Sequence, residues 1–311
     1  MSTIVYIGAV GRSGTTLLER TIATSPDFVA LGEVVHLWER GLLHDEPCGC
    51  GTPFRSCPYW TSIAQRAFGG WDALDLEEVR RWKHDADRNR FIGWLWFPRV
   101  APRRFRDALT PLVRTLDSLY GAIGEEASEV SGHDVVLVDA SKHPSYYFLL
   151  RRLPHHDVRL LHVVRDPRGV AHSWAKVVER PEAGDDMEQL GTWRAVARWT
   201  SHNALFSIGA LRHRHARLRY ERFADDPAEL GRVVHRLTDD LAAIAPEVVG
   251  RTVHLRTDHT VSGNPMRFRT GPIDIRNDEA WRTAMPRRAR IIVSVLTSPQ
   301  RLGFSRTGHR R

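Results

Sequence analysis

The chain has 311 residues, 42% hydrophobic and 26% charged, a balance that excludes a disordered or low-complexity polypeptide. Its net charge of +8 is carried almost wholly by arginine, since the only lysines are Lys83, Lys142 and Lys176; such an excess suits a polyanionic ligand. No apolar run reaches the length of a membrane span, and the first strand starts within four residues, leaving no room for a signal peptide, so a cytoplasmic protein is expected.

Ile4 to Val10 reads as a buried strand, followed by Gly11-Arg12-Ser13-Gly14-Thr15-Thr16 and then Leu17, Leu18 and Ile22 on a helix that ends near Ser25-Pro26. A strand, a Gly-rich turn and a helix N-terminus make an anion cradle, because successive backbone N–H groups and the helix dipole favour a phosphate there. The nucleoside-triphosphate loop G-x-x-x-x-G-K-[ST] would place Ala9 at its first Gly and Thr15 at its Lys, so the phosphate-reaching lysine is missing and Arg12 stands inside the loop instead. Glu33 and His36 follow in a short turn after this helix, and either is a candidate base.

Residues 34–100 read as an irregular insertion with six of the ten tryptophans, able to line an acceptor pocket or to form a core of their own. Within it Cys48-Gly49-Cys50-Gly51 and Cys57 form a knuckle-like cluster, read as reduced structural thiols or as a zinc site with His36 or His44 as fourth ligand. Leu109, Leu112, Leu116, Leu119 and Ile123 mark an amphipathic helix over 103–124. A second strand, Asp134–Ala140, ends at Ser141-Lys142, and a helix over 144–152 leads to a strand over 158–164, a βαβ pattern. That strand runs into Arg165-Asp166-Pro167, where Pro167 opens a helix with Asp166 as its N-cap and Ser173 lies two turns in.

Residues 180–191 read as a loop and 191–213 as a long helix; Leu218 to Glu221 ends a short strand. Helices over 227–243 and 286–297 flank a loop-like stretch at 256–276, and a basic tail occupies 305–311. Alternating strands and helices predict a single α/β domain of P-loop-like, three-layer type, with a central, mainly parallel sheet and helices on both faces.

The loop at 11–16, together with Arg165 and the serine eight positions on, resembles the sulfotransferases that use 3′-phosphoadenosine 5′-phosphosulfate (PAPS), and the Cys-x-Cys-Gly block recurs in bacterial members. The resemblance covers residues 4–36, 48–60, 137–174, 218–227 and 260–304. It is closer to the glycan and tyrosyl-protein branch than to the cytosolic phenol branch. It implies that Gly11, Arg12, Ser13, Gly14, Thr15 and Thr16 hold the 5′-phosphosulfate, and that Arg165 and Ser173 clamp the 3′-phosphate. It further implies that Tyr220 packs on the adenine and that Ser262, Arg267 and Arg269 belong to a late loop over the nucleotide. Glu33 is then the general base, with His36 its rival, and Arg12 and Lys142 stabilise charge. The implied reaction moves a sulfuryl group to a hydroxyl of a small-molecule or glycan acceptor, leaves 3′,5′-adenosine bisphosphate and requires no metal.

Two other readings compete. A P-loop kinase or NTPase would use Asp139 at a strand end for Mg, and a basic nucleic-acid-binding protein would need a recognition module that the sequence lacks.

Overall fold

Alternate residues of the first strand face different cores, and that fixes the architecture. The computed structural model describes residues 2–180, 184–238 and 247–306. In β1 (Ser2–Gly8), Ile4 and Tyr6 pack into one apolar cluster while Val5 and Ile7 pack into another. With both faces covered, the strand is a continuous apolar run. The other strands of this sheet are β2 (Phe28–Ala30), β3 (Val136–Asp139), β4 (His156–Val164) and β5 (His215–Arg219). Their spatial order is β2-β3-β1-β4-β5, and every neighbouring pair is parallel. The chain leaves β1 for one edge, returns through β3 and crosses to β4. The strand order therefore reverses at the carboxyl end of β1, where open α/β sheets bind ligands.

Helices cover both faces. On one side Arg103–Ser131 buries Leu109, Leu112, Leu116, Leu119 and Ile123, the stripe legible in the sequence, although the helix continues to Ser131. On the other lie Thr15–Ile22 and Ala228–Thr238, the latter matching the first part of the helix expected over 227–243; residues 239–243 lie outside the described residues. A third cluster joins Val164 to helices Pro167–Ala175, Thr192–Gly209 and Arg287–Arg306.

Five expectations need correction. Residues 34–100 are not irregular: helices Pro58–Phe68 and Leu76–Ala86 and a π-helical turn, Leu37–Leu43, build much of one core. Trp60, Ile63 and Ala64 are buried at helical spacing within a single short helix, too brief for periodicity to be read among so many aromatics. The path from the first helix to Glu33 includes β2, a three-residue edge strand below the length at which alternation shows. Tyr220 and Glu221 open the helix Tyr220–Asp225 rather than end a strand. The stretch 256–276 is not wholly loop, because Gly271–Asp274 pairs antiparallel with Thr252–Leu255. Between 180 and 191 a short antiparallel pairing joins Glu179–Arg180 to Asp185–Asp186.

Candidate functional site

Each of the five parallel strands delivers candidate residues within a few positions of its carboxyl end. β1 leads to the loop 11–16, β2 to Glu33, β3 to Lys142, β4 to Arg165 and β5 to Tyr220. A cavity of about 800 Å³ opens at this end of the sheet. Gly11, Arg12, Gly14, Thr15, Thr16, Glu33, His36, Lys142, Arg165 and Ser173 all line it, so residues spread over 163 positions meet at one place. Ser13 belongs to the loop but is buried beneath it.

The loop is held in shape by its surroundings. Gly14 caps the helix with φ 79°, and a Cβ there would run into the Tyr220 ring. The Trp174 indole donates to the Gly11 carbonyl at 3.0 Å. Arg165 Nη1 donates to the Arg12 carbonyl at 3.0 Å, and its guanidinium lies over the Tyr220 ring at 5.0 Å. Asp166 accepts from the Arg168 N–H at 2.9 Å and caps the helix that Pro167 opens, which carries Ser173 and Trp174 to the cavity. Arg12 itself has φ 70° and stands 5.6 Å from the Trp174 ring. Its Nε and Nη2 are buried without a hydrogen-bond partner, and burial lowers its pKa. Guanidinium donors left unmade inside a cavity suit an anionic ligand.

Across the cavity Lys142 donates to Glu33 Oε1, while His36 Nε2 lies 3.5 Å from Glu33 Oε2. The Glu33 turn is fastened on two sides. The Gly32 N–H donates to the buried Glu19 carboxyl at 2.6 Å, and the Glu33 N–H donates to the Val261 carbonyl at 2.8 Å. Burial raises the Glu19 pKa well above the usual carboxylate range. Lys142, at φ 65°, follows Ser141, whose N–H donates to Asp139 Oδ1 at 2.7 Å.

Burial pushes His36 well below the ordinary histidine range and brings His143 and His202 down to about 4, so these imidazoles are neutral near pH 7. The positive charge lining the cavity therefore comes from Lys142 and from Arg12, Arg40, Arg165, Arg180 and Arg198, against the carboxylates of Glu33, Asp186 and Glu188.

Three late-loop residues stand apart. Ser262, at φ 44°, is buried and accepts from Arg40 Nη1 at 2.9 Å; the cavity is lined instead by its neighbours Gly263 and Asn264. Arg267 is buried away from the cavity and donates to the carbonyls of Thr260 and Pro47 at 3.1 and 2.7 Å. Arg269 is exposed, and its carbonyl accepts from Arg20. The structure does not bring these two guanidinium groups to the cavity. Tyr220 lies behind the loop, its ring between Gly14 and Arg165.

None of the six tryptophans between 34 and 100 lines the cavity; Trp38, Trp60 and Trp71 are core, and the cavity's indole is Trp174. Of the histidines offered as a fourth ligand to the cysteines, His36 lines the cavity and His44 lies exposed, 3.9 Å from Glu39. Asp139, the acid that a Mg-nucleotide reading needs, is buried against Tyr120 and Ser141, its pKa raised by burial to about 6.

Other contributors had weaker signals. Arg198 and His202 are four apart on one helix, and His36 and Arg40 four apart in the next segment after β2, spacings that put each pair on one face. Arg20, buried in the first helix, bonds the Asp258 carboxylate at 2.6 Å and the carbonyls of Met266, Arg269 and Arg256. Nothing in the sequence singles it out.

Residues 5–239 match the model described as Sulfotransferase family. Among solved structures, the chain is similar to the sulfotransferase domain from the curacin biosynthetic pathway, at 15% identity and a TM-score of 0.48, covering 96% of this chain and 98% of that one. It is also similar to the sulfotransferase domain from the Synechococcus PCC 7002 olefin synthase, at 17% identity, TM-score 0.48, and 96% and 94% coverage. Sulfotransferase STF9 from Mycobacterium avium is more distant, at 14% identity and TM-score 0.40, with 76% and 64% coverage. A search of curated proteins finds no significant match. No helix among the described residues is long and apolar enough to cross a membrane.

Proposed function

Because the chain belongs to the sulfotransferase family, we propose that it moves a sulfuryl group from PAPS to a hydroxyl of a carbohydrate, lipid or secondary-metabolite acceptor, with Glu33 as general base. The observation that carries this reading is the pairing of a cation-rich cavity, including the unpartnered Arg12 donors, with one carboxylate held on its opposite wall. PAPS, when bound, supplies a sulfuryl group attached to an already good leaving phosphate. The backbone N–H groups of the loop 11–16 and the start of the first helix suit the 5′-phosphate, with Arg12 adding its charge. Arg165 and Ser173, both on the cavity wall, would take the 3′-phosphate. Tyr220 would support the loop and Arg165 rather than lie open for an adenine to stack on.

Glu33 Oε2 takes the proton of the acceptor hydroxyl, while Lys142 and Arg12 offset negative charge on the bridging oxygen. His36 is the weaker candidate base, because burial has lowered its affinity for a proton. Catalysis rests on positioning and electrostatics, and no metal step is called for.

The test is calorimetric titration with 3′,5′-adenosine bisphosphate, paired with turnover of radiolabelled PAPS. Glu33→Gln should bind the bisphosphate within about threefold of wild type yet lose about 100-fold or more in turnover. Arg165→Ala should weaken the binding itself. Full turnover in the Glu33 variant would remove it as the base, and tighter binding of Mg-ATP than of the bisphosphate would overturn the PAPS reading.

A further inference from the structure

Three cysteines and one histidine that the reaction does not use converge beside the late loop. Cys48 and Cys57 are buried, Cys50 is half-buried, and all three are free thiols. The fourth group is His259, 202 positions beyond Cys57. The three Sγ atoms and a ring nitrogen of His259 all lie within 4.8 Å of one another. Cys50 Sγ is 3.7 Å from Cys57 Sγ, and His259 Nδ1 is 3.3 Å from Cys57 Sγ and 3.8 Å from Cys48 Sγ. A tetrahedral zinc ion with ordinary Zn–S and Zn–N bonds sets its ligands about 3.6–3.8 Å apart. A Cys50–Cys57 disulfide would need the sulfurs at about 2.05 Å.

The surroundings are those of a ligand cage. Cys50 Sγ lies 3.0 Å from the Thr52 hydroxyl. Cys57 is the N-cap of the helix Pro58–Phe68, where the dipole favours a thiolate. The knuckle closes through the Cys48 N–H on the Thr52 carbonyl and the Gly51 N–H on the Cys48 carbonyl, both 2.8 Å. His259 is fixed by Tyr59, stacked on its ring at 4.8 Å, and by the Trp60 indole donating to its carbonyl at 2.7 Å.

We propose that Cys48, Cys50, Cys57 and His259 form a mononuclear, tetrahedral zinc site with three thiolate ligands and one imidazole. Four protein ligands fill the coordination sphere, and none of them lines the cavity, so the site is structural. Zinc binding releases the three thiol protons and leaves three thiolates and one neutral imidazole on the ion. The bonded ion ties the 48–57 knuckle to the late loop. Two residues beyond His259, Val261 accepts the Glu33 N–H and donates to the Leu31 carbonyl, so the same ion braces the turn that carries Glu33. The site stands on its own geometry and is independent of the proposed reaction.

The full chain, purified without immobilised-metal chromatography, should carry about one zinc per molecule by inductively coupled plasma and native mass spectrometry. Cobalt substitution should give the intense visible bands of tetrahedral cobalt thiolate. Cys50→Ser, at the most accessible ligand, should drop zinc content below about a tenth per chain, whereas His259→Cys should keep it, since a set of four cysteines also binds zinc. Three freely titrating thiols in folded, metal-free protein would overturn the proposal. So would a Cys50–Cys57 disulfide in the intact mass, or iron in place of zinc.

Discussion

Arg12→Met separates what the unliganded fold wants from what the ligand wants. In the free protein Nε and Nη2 of Arg12 are buried without partners. An unsatisfied buried donor costs about 1–3 kcal/mol. The Trp174 ring, 5.6 Å away, returns only about 0.5–1 kcal/mol by cation–π attraction. The backbone cost of φ 70° is common to both residues and cancels. Methionine should therefore stabilise the unliganded chain by about 1 kcal/mol, a rise of about 2 °C in Tm for a chain of this size. The same change removes a charged, two-pronged donor from the phosphate loop, costing about 3 kcal/mol of ligand binding, or roughly 100-fold in Kd for 3′,5′-adenosine bisphosphate. Thermal melts with and without the bisphosphate, followed by calorimetry, read both effects on one sample. A lower Tm for Arg12→Met together with unchanged affinity would refute the reasoning, because it would make Arg12 a structural residue.

Gly14→Ala should abolish bisphosphate binding in calorimetry with the fold retained by circular dichroism, since a Cβ at φ 79° collides with Tyr220; binding within tenfold of wild type would contradict it. Arg20→Met removes the guanidinium that holds four groups of the 256–269 segment and leaves Asp258 without that partner, so it should cost about 3–5 kcal/mol in urea unfolding. A loss below about 1 kcal/mol would show the segment to be anchored elsewhere. Acidification from pH 7 to 5 should destabilise the chain. His143 and His202 titrate at about 4 and His162 at about 3 when folded, so between there and 6.5 the unfolded chain binds more protons. His36, lowered by burial, adds a fourth proton, while Asp139, at about 6 when folded, and Glu19, raised by burial, each oppose by up to one, leaving a net uptake on unfolding of up to about two. Urea midpoints that stay flat between pH 7 and 5 would contradict that sign.

The residues that gather at the strand ends were largely legible, because a Gly-rich turn after an apolar run and an Arg-Asp-Pro after another are local signals. Gly11, Arg12, Gly14, Thr15, Thr16, Glu33, Lys142, Arg165 and Ser173 all reach one cavity for that reason. What the sequence hid is non-local. Arg267 looks like a phosphate ligand in a basic loop, and only the fold shows its guanidinium committed to the carbonyls of Thr260 and Pro47. His259 joins the cysteines across 202 positions, a separation that no motif spacing records. The insertion helices were missed because their buried stripes are short and rich in tryptophan, where a 3.6-residue period has too few turns to show.

Arg20 lies in the first helix, yet every partner described for it lies between residues 256 and 269. Glu33 likewise takes its backbone acceptor from Val261. During synthesis the sheet and its phosphate loop are made long before the segment that clamps them, and loops this wide close slowly. A nascent chain that has not yet released residue 269 holds a charged, buried-to-be arginine with nothing to bond. The last quarter of translation thus decides when the protein becomes competent. Ribosome-stalled chains ending near residue 250 should fail to protect the first helix from protease, and protection should appear once the stall point moves past the tunnel length beyond 269; early protection would show that the clamp is dispensable to folding order.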